Sequence, residues 1–419
     1  MSDKKVFPVI SDTACVYKWA WNTFYTYSGE SASCHRIESE KISLEHFDAD
    51  YHNTEKVVDD RQQMRQGLWP AAGRGCEYCK KIEDAGGVSD RIYSNNLPIA
   101  NEIDFSSDIT QPLISEVYIN NTCDLGCVYC TAELSSKINS ELITHGTNSV
   151  GEIPIVKFDK QSAYTEKYLS WVDENYTTLR RLSILGGEPL LQKEFWKLLD
   201  RAKDVKNPDL EIAINTNLNA SFETIERLVV TAKQLVKNRN VKRFDIVCSL
   251  DCWGPQSEFV RYGLNLERWQ KNFEYLLRHK WLYISVLQVV SSLTIKTMFD
   301  FQQIIANYKN QGHRITQEYH VVTGKVASDL YHPSAFGSEF FKQQLDEVET
   351  AHPITEPWDE ETKKRIAGIN KLLTSGSVLP DANRLSRLKT RLDEIDTRRG
   401  TDWKSLYPEI NEFILKNVV

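Results

Sequence analysis

The sequence predicts an α/β protein built on a parallel sheet, and three observations carry that prediction. Six short runs rich in β-branched and aromatic residues fall between positions 112 and 323, helix-length stretches separate them, and polar or glycine-containing turns follow them. Strands joined by crossover helices run parallel, in a sheet either twisted open or curled into a partial barrel. A chain of 419 residues has room for two or three domains with substantial cores. Hydrophobic residues at 41% and charged residues at 26% are ordinary for a globular protein, which excludes disorder, collagen and coiled coil. No apolar run approaches the roughly 18 residues of a spanning helix, so no membrane partner is expected.

In chain order, residues 1–105 read as a small cysteine-rich domain. Turn formers are frequent, and Cys15, Cys34, Cys76 and Cys79 are scattered among Tyr17, Trp19, Trp21 and Trp69 with little long-range periodicity. Such a segment is held by a metal rather than by a large core. Its first residues, Met1-Ser-Asp-Lys-Lys-Val-Phe-Pro8, lack the apolar stretch of a secretory signal, so a cytoplasmic location is expected. Residues 106–330 carry the alternating pattern. Strands are expected at 114–119, 179–185, 211–215, 243–250, 283–291 and 317–322, with helices at 193–202, 220–236, 266–278 and 295–308. Residues 331–419 read as a charged helical extension broken near Pro353–Pro357 and Gly376–Pro380. Lys and Arg number 51 against 58 Asp and Glu, a formal charge of −7, which gives no global reason to hold nucleic acid. The basic runs Arg384–Arg391 and Arg398-Arg399 suit solvated helix faces and lend a polyanion only slight support.

The nine cysteines are the informative residues. An odd count without an export signal argues for free thiols rather than a disulfide framework. Cys123-x3-Cys127-x2-Cys130 supplies three thiolates and no fourth, whereas Cys15, Cys34, Cys76 and Cys79 make a complete set of four. Several thiolates on short loops repel one another and invite oxidation; a soft cation removes both problems, with zinc and iron–sulfur clusters as the candidates.

In parallel α/β folds the reactive loops follow the C-terminal ends of strands. The first strand here leads into Asn120-Asn-Thr-Cys-Asp-Leu-Gly-Cys-Val-Tyr-Cys130, the second into Gly186-Gly187-Glu188-Pro189, the third into Asn215-Thr216-Asn217, and the fourth into Ser249-Leu-Asp251. A three-cysteine loop with Tyr129 before its last cysteine, followed by a Gly-Gly-Glu-Pro turn, closely resembles the radical S-adenosylmethionine (radical SAM) superfamily. That resemblance covers roughly residues 10 to 325 and implies a partial (β/α)6 TIM-like barrel. Three ligands leave one iron of a four-iron–four-sulfur (4Fe–4S) cluster open, and the family fills it with SAM. By the same resemblance Cys123, Cys127 and Cys130 are the cluster ligands. Gly186, Gly187, Glu188 and Pro189 meet the SAM amino group, Thr216 and Asn217 the ribose, and Ser249 and Asp251 face the cofactor. Arg261 pairs with the SAM carboxylate, a match that suits a guanidinium fork, and the backbone around Tyr129 touches adenine.

The N-terminal set, Cys15-x13-Gly29-x4-Cys34 with Cys76-x2-Cys79, resembles SPASM and twitch domains, which hold an auxiliary 4Fe–4S cluster. Here the module precedes the barrel rather than following it. The resemblance implies two clusters, SAM, a reductant such as flavodoxin or ferredoxin, and hydrogen abstraction from a peptide or protein. A small molecule, a nucleotide or a nucleic-acid base is the alternative substrate, and a non-catalytic metal-binding protein on the same fold is the alternative class. Cys252, Tyr319 and His320 are candidate hydrogen or proton donors at strand ends, with Gln288 and Ser291 as further chamber residues. Each motif also has a plain structural reading. The three cysteines with His145 or His35 fit a partial zinc site, and the four-cysteine set fits a structural zinc. The glycines fit a tight turn, Thr216–Asn217 and Ser249–Asp251 fit helix caps, and Cys248 and Cys252 fit packing.

Overall fold

Alternating side chains give each strand two faces, and the sequence makes one of them dry. In the computed structural model, which describes residues 10–418 except 72, 85, 87, 152, 158 and 159, eleven strands are present among the described residues. The N-terminal stretch 1–8 lies outside those residues, as do two positions of the Cys76–Arg91 segment. The strands are β1 (Trp21–Tyr25), β2 (Glu30–Ala32), β3 (Glu40–Lys41), β4 (Ile114–Tyr118), β5 (Gly126–Cys127), β6 (Arg181–Leu185), β7 (Glu211–Thr216), β8 (Arg243–Ser249), β9 (Arg261–Tyr262), β10 (Tyr283–Val290) and β11 (Thr316–Val321). Nine form one sheet in the order β11-β10-β8-β7-β6-β4-β1-β2-β3, and β5 pairs with β9 in a separate two-stranded ribbon. The six strands expected from the sequence are all parallel neighbours, in chain order.

That monotonic order puts successive right-handed crossovers on the same face of the sheet. The face they cover is apolar. Phe24, Val117, Ile184, Ile214, Ile246 and Ile284 lie in one register row, all buried in the main core with Tyr168, Phe195, Leu228, Phe273 and Phe301 from the covering helices. The next row, on the opposite face, reads Thr23, Glu116, Ser183, Ala213 and Asp245. A buried face of that polarity serves chemistry better than packing.

The N-terminal region is more regular than its sequence suggests. β1 pairs in parallel with β4, so the cysteine-rich segment continues the sheet. Helix Glu55–Arg65 lacks an apolar stripe because it buries Asp60 and Arg61. Asp60 pairs with the buried Lys18, and Arg61 donates to the backbone carbonyls of Lys18, His52 and Asp108. A small core of Ala14, Val16, Trp19, Met64, Ala100 and Phe105 packs beside this network.

The C-terminal region forms helices Lys342–Thr350, Asp359–Thr374, Ala382–Arg399, Trp403–Leu406 and Pro408–Asn417, broken where the prolines and glycine predict. Leu385, Leu388, Leu392 and Ile395 share a core with Val128, Phe259 and Val290, so this region packs directly on the strand ends. Among the described residues, no helix is long and apolar enough to cross a membrane.

Candidate active site

The loop after β4 is folded by its own polar residues. Asn120 Oδ1 accepts from Thr122 N at 2.8 Å, Asn121 Nδ2 donates to Ala132 O at 2.9 Å, and Ser136 Oγ accepts from Cys123 N at 3.1 Å. The ribbon sets Cys127 opposite Arg261, and Val128 N donates to Val260 O at 2.8 Å. The Gly186–Pro189 turn nests on the other side. Gly187 has φ +51°, and a Cβ there would stand 2.3 Å from Thr122 O; Gly186, at φ +81°, would put one 3.0 Å from Tyr118 Cα. Only glycine allows that approach. Glu188 N closes the contact by donating to Thr122 O at 2.7 Å.

The turn after β7 holds the loop from a third direction. Asp124 accepts from Asn217 Nδ2 at 2.8 Å and from Asn219 Nδ2 at 2.7 Å. Between those asparagines Leu218 takes φ +56°, a left-handed conformation costly for a branched side chain and characteristic of functional turns. Asn217 Nδ2 also lies 4.0 Å from the Cys123 sulfur. Burial first, and then the neighbouring Cys127, push up both Cys123 and Cys130, the latter to about 12. Cys127 thus bears electrostatically on both of the other loop cysteines.

Two buried carboxylates frame them. Glu188, 1% exposed, accepts from Thr216 Oγ1 at 2.8 Å, Asn217 N at 2.6 Å and Leu190 N at 3.1 Å. Burial nonetheless pushes its pKa up to about 7. Asp251, equally buried, takes the Arg261 fork at 3.0 and 2.8 Å, the Tyr129 hydroxyl at 2.6 Å and Val289 N at 3.0 Å. Arg261 thus spends its fork on Asp251 in this structure, and its Cζ lies 5.9 Å from the Tyr129 ring centre. Ser249 is half-buried at the end of β8, opposite Leu287.

The three candidate donors do not gather here. Tyr319 is 2% exposed in the core under the C-terminal helices, where Gln317 Nε2 donates to its hydroxyl at 2.9 Å and His352 stands against its ring. Strand alternation requires this: His320 faces the polar side, so Tyr319 faces the packed side. His320 has a half-exposed side chain, 3.5 Å from Glu318. Cys252 is fully buried, and burial pushes its thiol up to about 12. Cys252 and Tyr319 are thus both buried in this structure, apart from the half-exposed His320. Gln288 and Ser291 are likewise fully buried, occupied by Asp251 O and Thr294. Asp124 and Asn219 were missed, although the repeated Asn of Asn215-Thr-Asn-Leu-Asn219 is a signal. Arg398-Arg399, expected on a solvated helix face, is instead buried, and Arg399 reaches the same loop from far along the chain.

The N-terminal cysteines also meet. Burial pushes Cys15 up to about 12, with Cys34 and Cys76 adding to it, and Cys76 up to about 11, with Cys34 and Cys79 adding to it. Among the described residues, no three His, Cys, Asp or Glu side chains are arranged around a single metal ion. A cavity of about 170 Å³ opens beside the three-cysteine loop, lined by Tyr129, Cys130, Thr131, Val326, Leu330 and Arg391 among others.

No protein-family model matches the chain, and no curated protein sequence matches it. Similar solved structures include Streptococcus suis SuiB bound to S-adenosylmethionine, at 15% identity and a TM-score of 0.34, covering 76% of this chain and 64% of that one. SuiB bound to its precursor peptide SuiA matches at 15% identity and 0.34, covering 93% and 73%. Native anSMEcpe with bound AdoMet and a Kp18Cys peptide matches at 18% identity and 0.33, covering 55% and 56%. In the first of these matches the chain spans less than two thirds of SuiB's length. A likeness this loose carries no argument about what this chain binds or does.

Its chemistry is therefore set by its own side chains. Three cysteines on one loop, no fourth cysteine there, and buried carboxylates at Glu188 and Asp251 are a donor set that suits a soft metal centre with one open position.

Proposed function

We propose that this protein is a radical SAM enzyme. One observation carries the reading: the three-cysteine loop and the Gly186–Pro189 turn, far apart in sequence, interlock backbone to backbone at adjacent strand ends. The donor set fits a 4Fe–4S cluster, since three soft ligands leave one iron for a substrate-like chelator. Cys123, Cys127 and Cys130 would hold it. A cluster held by these residues would supply the single electron needed to cleave SAM reductively, the chemistry by which radical SAM enzymes abstract a hydrogen atom. Glu188, oriented by three donors, offers an acceptor to an amino group, whose positive charge would favour its ionised form. Thr216 and Asn217 lie within hydrogen-bonding reach of that carboxylate and belong to the same wall. The cavity beside Tyr129–Thr131, apolar with polar edges, suits a planar base. Asp251 orients Arg261 and Tyr129 rather than meeting the substrate itself.

The single-direction strand order favours a sheet curled around its polar face, a partial (β/α)6 barrel over residues 106–330. Residues 1–105 would carry a second, fully ligated 4Fe–4S cluster on Cys15, Cys34, Cys76 and Cys79, suited to electron transfer, and residues 331–419 a helical cover. A peptide or protein is the preferred substrate, by the resemblance of the N-terminal module alone, and a flavodoxin or ferredoxin the reductant. Anaerobic reconstitution tests the reading: about eight irons per chain are expected from two four-iron clusters, with dithionite-dependent release of 5′-deoxyadenosine. Replacing Cys123, Cys127 and Cys130 together with Ala should abolish that release and leave the N-terminal iron. Zinc without iron in strictly anaerobic protein would refute the proposal.

A further inference from the structure

We propose that Arg399, the last residue of helix Ala382–Arg399, is a positioning residue that sets the reduction potential of the cluster at the Cys123–Cys130 loop; the inference rests on the radical SAM reading. The helix is clamped by Leu385, Leu388, Leu392 and Ile395 in a core that includes Val128 of the loop. Its last side chain is 2% exposed. The guanidinium donates from Nε to Glu141 Oε2 at 2.8 Å and stacks over Tyr262, its Cζ 4.8 Å from the ring centre. Those two partners lie on the helix after the cysteine loop and on β9 of the ribbon. A Cβ at Gly126 would stand only 3.4 Å from Nη2, so the charge lies directly against the Gly126–Cys127 strand.

One atom makes this more than an ion pair. Nη1 is buried and has no hydrogen-bond partner among the described residues. Leaving a guanidinium donor unpaired in the interior is costly, and an anionic acceptor at the loop would relieve it. Three thiolates on an iron–sulfur core are net negative, and reduction adds one further negative charge. The other nearby guanidinium, Arg261, already gives its fork to Asp251. Arg399 is therefore a buried guanidinium with an unused donor on this side of the loop, where the ammonium of Lys137 already donates to Asp124 O at 3.0 Å and lies over Tyr262. Its charge favours the reduced form and raises the potential at which a low-potential reductant can deliver its single electron.

The test is a dithionite-poised titration of the anaerobically reconstituted full chain, following by electron paramagnetic resonance the signal that added SAM perturbs. Arg399→Gln should lower the ratio of reduced to oxidised cluster at least tenfold at fixed poise, which is 59 mV for a one-electron couple. Arg399→Lys should restore most of it, and Glu141→Gln should shift the ratio the other way. The double variant Glu141→Gln with Arg399→Gln removes both charges and guards against a misfolded single. A wild-type potential in iron-replete Arg399→Gln would overturn the inference, as would equal iron loss in Arg399→Lys and Arg399→Gln. If the wild-type loop takes up no iron, the radical SAM reading falls instead, before Arg399 is in question.

Discussion

Glu188 sits where burial and hydrogen bonding oppose each other. Three donors favour its anion, yet desolvation wins and the proton is held up to about 7, against an ordinary 4.5. The folded state therefore binds this proton more tightly than the unfolded chain does. The stabilisation is complete below about pH 4.5 and is lost as pH rises through 7. The difference corresponds to about 3 kcal/mol at most. In metal-free protein, urea unfolding should show Glu188→Gln with a flatter stability profile between pH 4.5 and 7 than the wild type; parallel profiles would mean that the proton is not held. At this scale the sequence named residues of the strand-end turns but not their partners. The resemblance gives Arg261 a ligand carboxylate as partner; in the structure its fork meets Asp251. A lone sequence cannot reveal which of two anions a buried guanidinium faces, because that depends on strand ends far apart in the chain.

The elements meet through backbone, and glycine decides how closely. Gly187 has φ +51° with Thr122 O 2.3 Å from where a Cβ would lie, whereas Gly146 has φ +81° with nothing within 4 Å. Alanine at Gly187 adds a backbone clash to its positive-φ cost, whereas at Gly146, with ψ 175°, the cost is backbone strain alone, about 1–3 kcal/mol. Gly187→Ala should lose more stability than Gly146→Ala and should also lose iron from the adjacent loop, which Gly146→Ala should keep. Denaturant midpoints with iron assays check both, and equal losses would show that the close approach is not essential. The parallel strands were legible because their β-branched runs are dense and each ends in a turn motif. Helix Glu55–Arg65 was not, because its buried side carries Asp60 and Arg61 rather than a hydrophobic stripe.

Over the whole molecule, the boundary near residue 330 does not separate cores. Val290, Leu293 and Tyr319 from the sheet pack with Leu345, Leu388, Trp403 and Ile410 from beyond it. A chain ended at 330 should expose that surface and elute as aggregate with strong binding of a hydrophobic dye. Monomeric, cooperatively unfolding truncated protein would show that the extension is separable. The sequence read these helices correctly as helices, but charged faces dominate their composition and conceal how much apolar surface they share with the sheet.

The parallel pairing of β1 with β4 joins partners such as Thr23 and Glu116, 93 positions apart. On a ribosome adding about 5–20 residues per second, β1 waits roughly 5 to 20 seconds for its neighbour. β2 can cover one side of β1 early, as a local hairpin, while the other side stays an open edge prone to wrong partners. The cysteine-rich segment therefore completes its sheet only after β4, the first strand of the main sheet, has been translated.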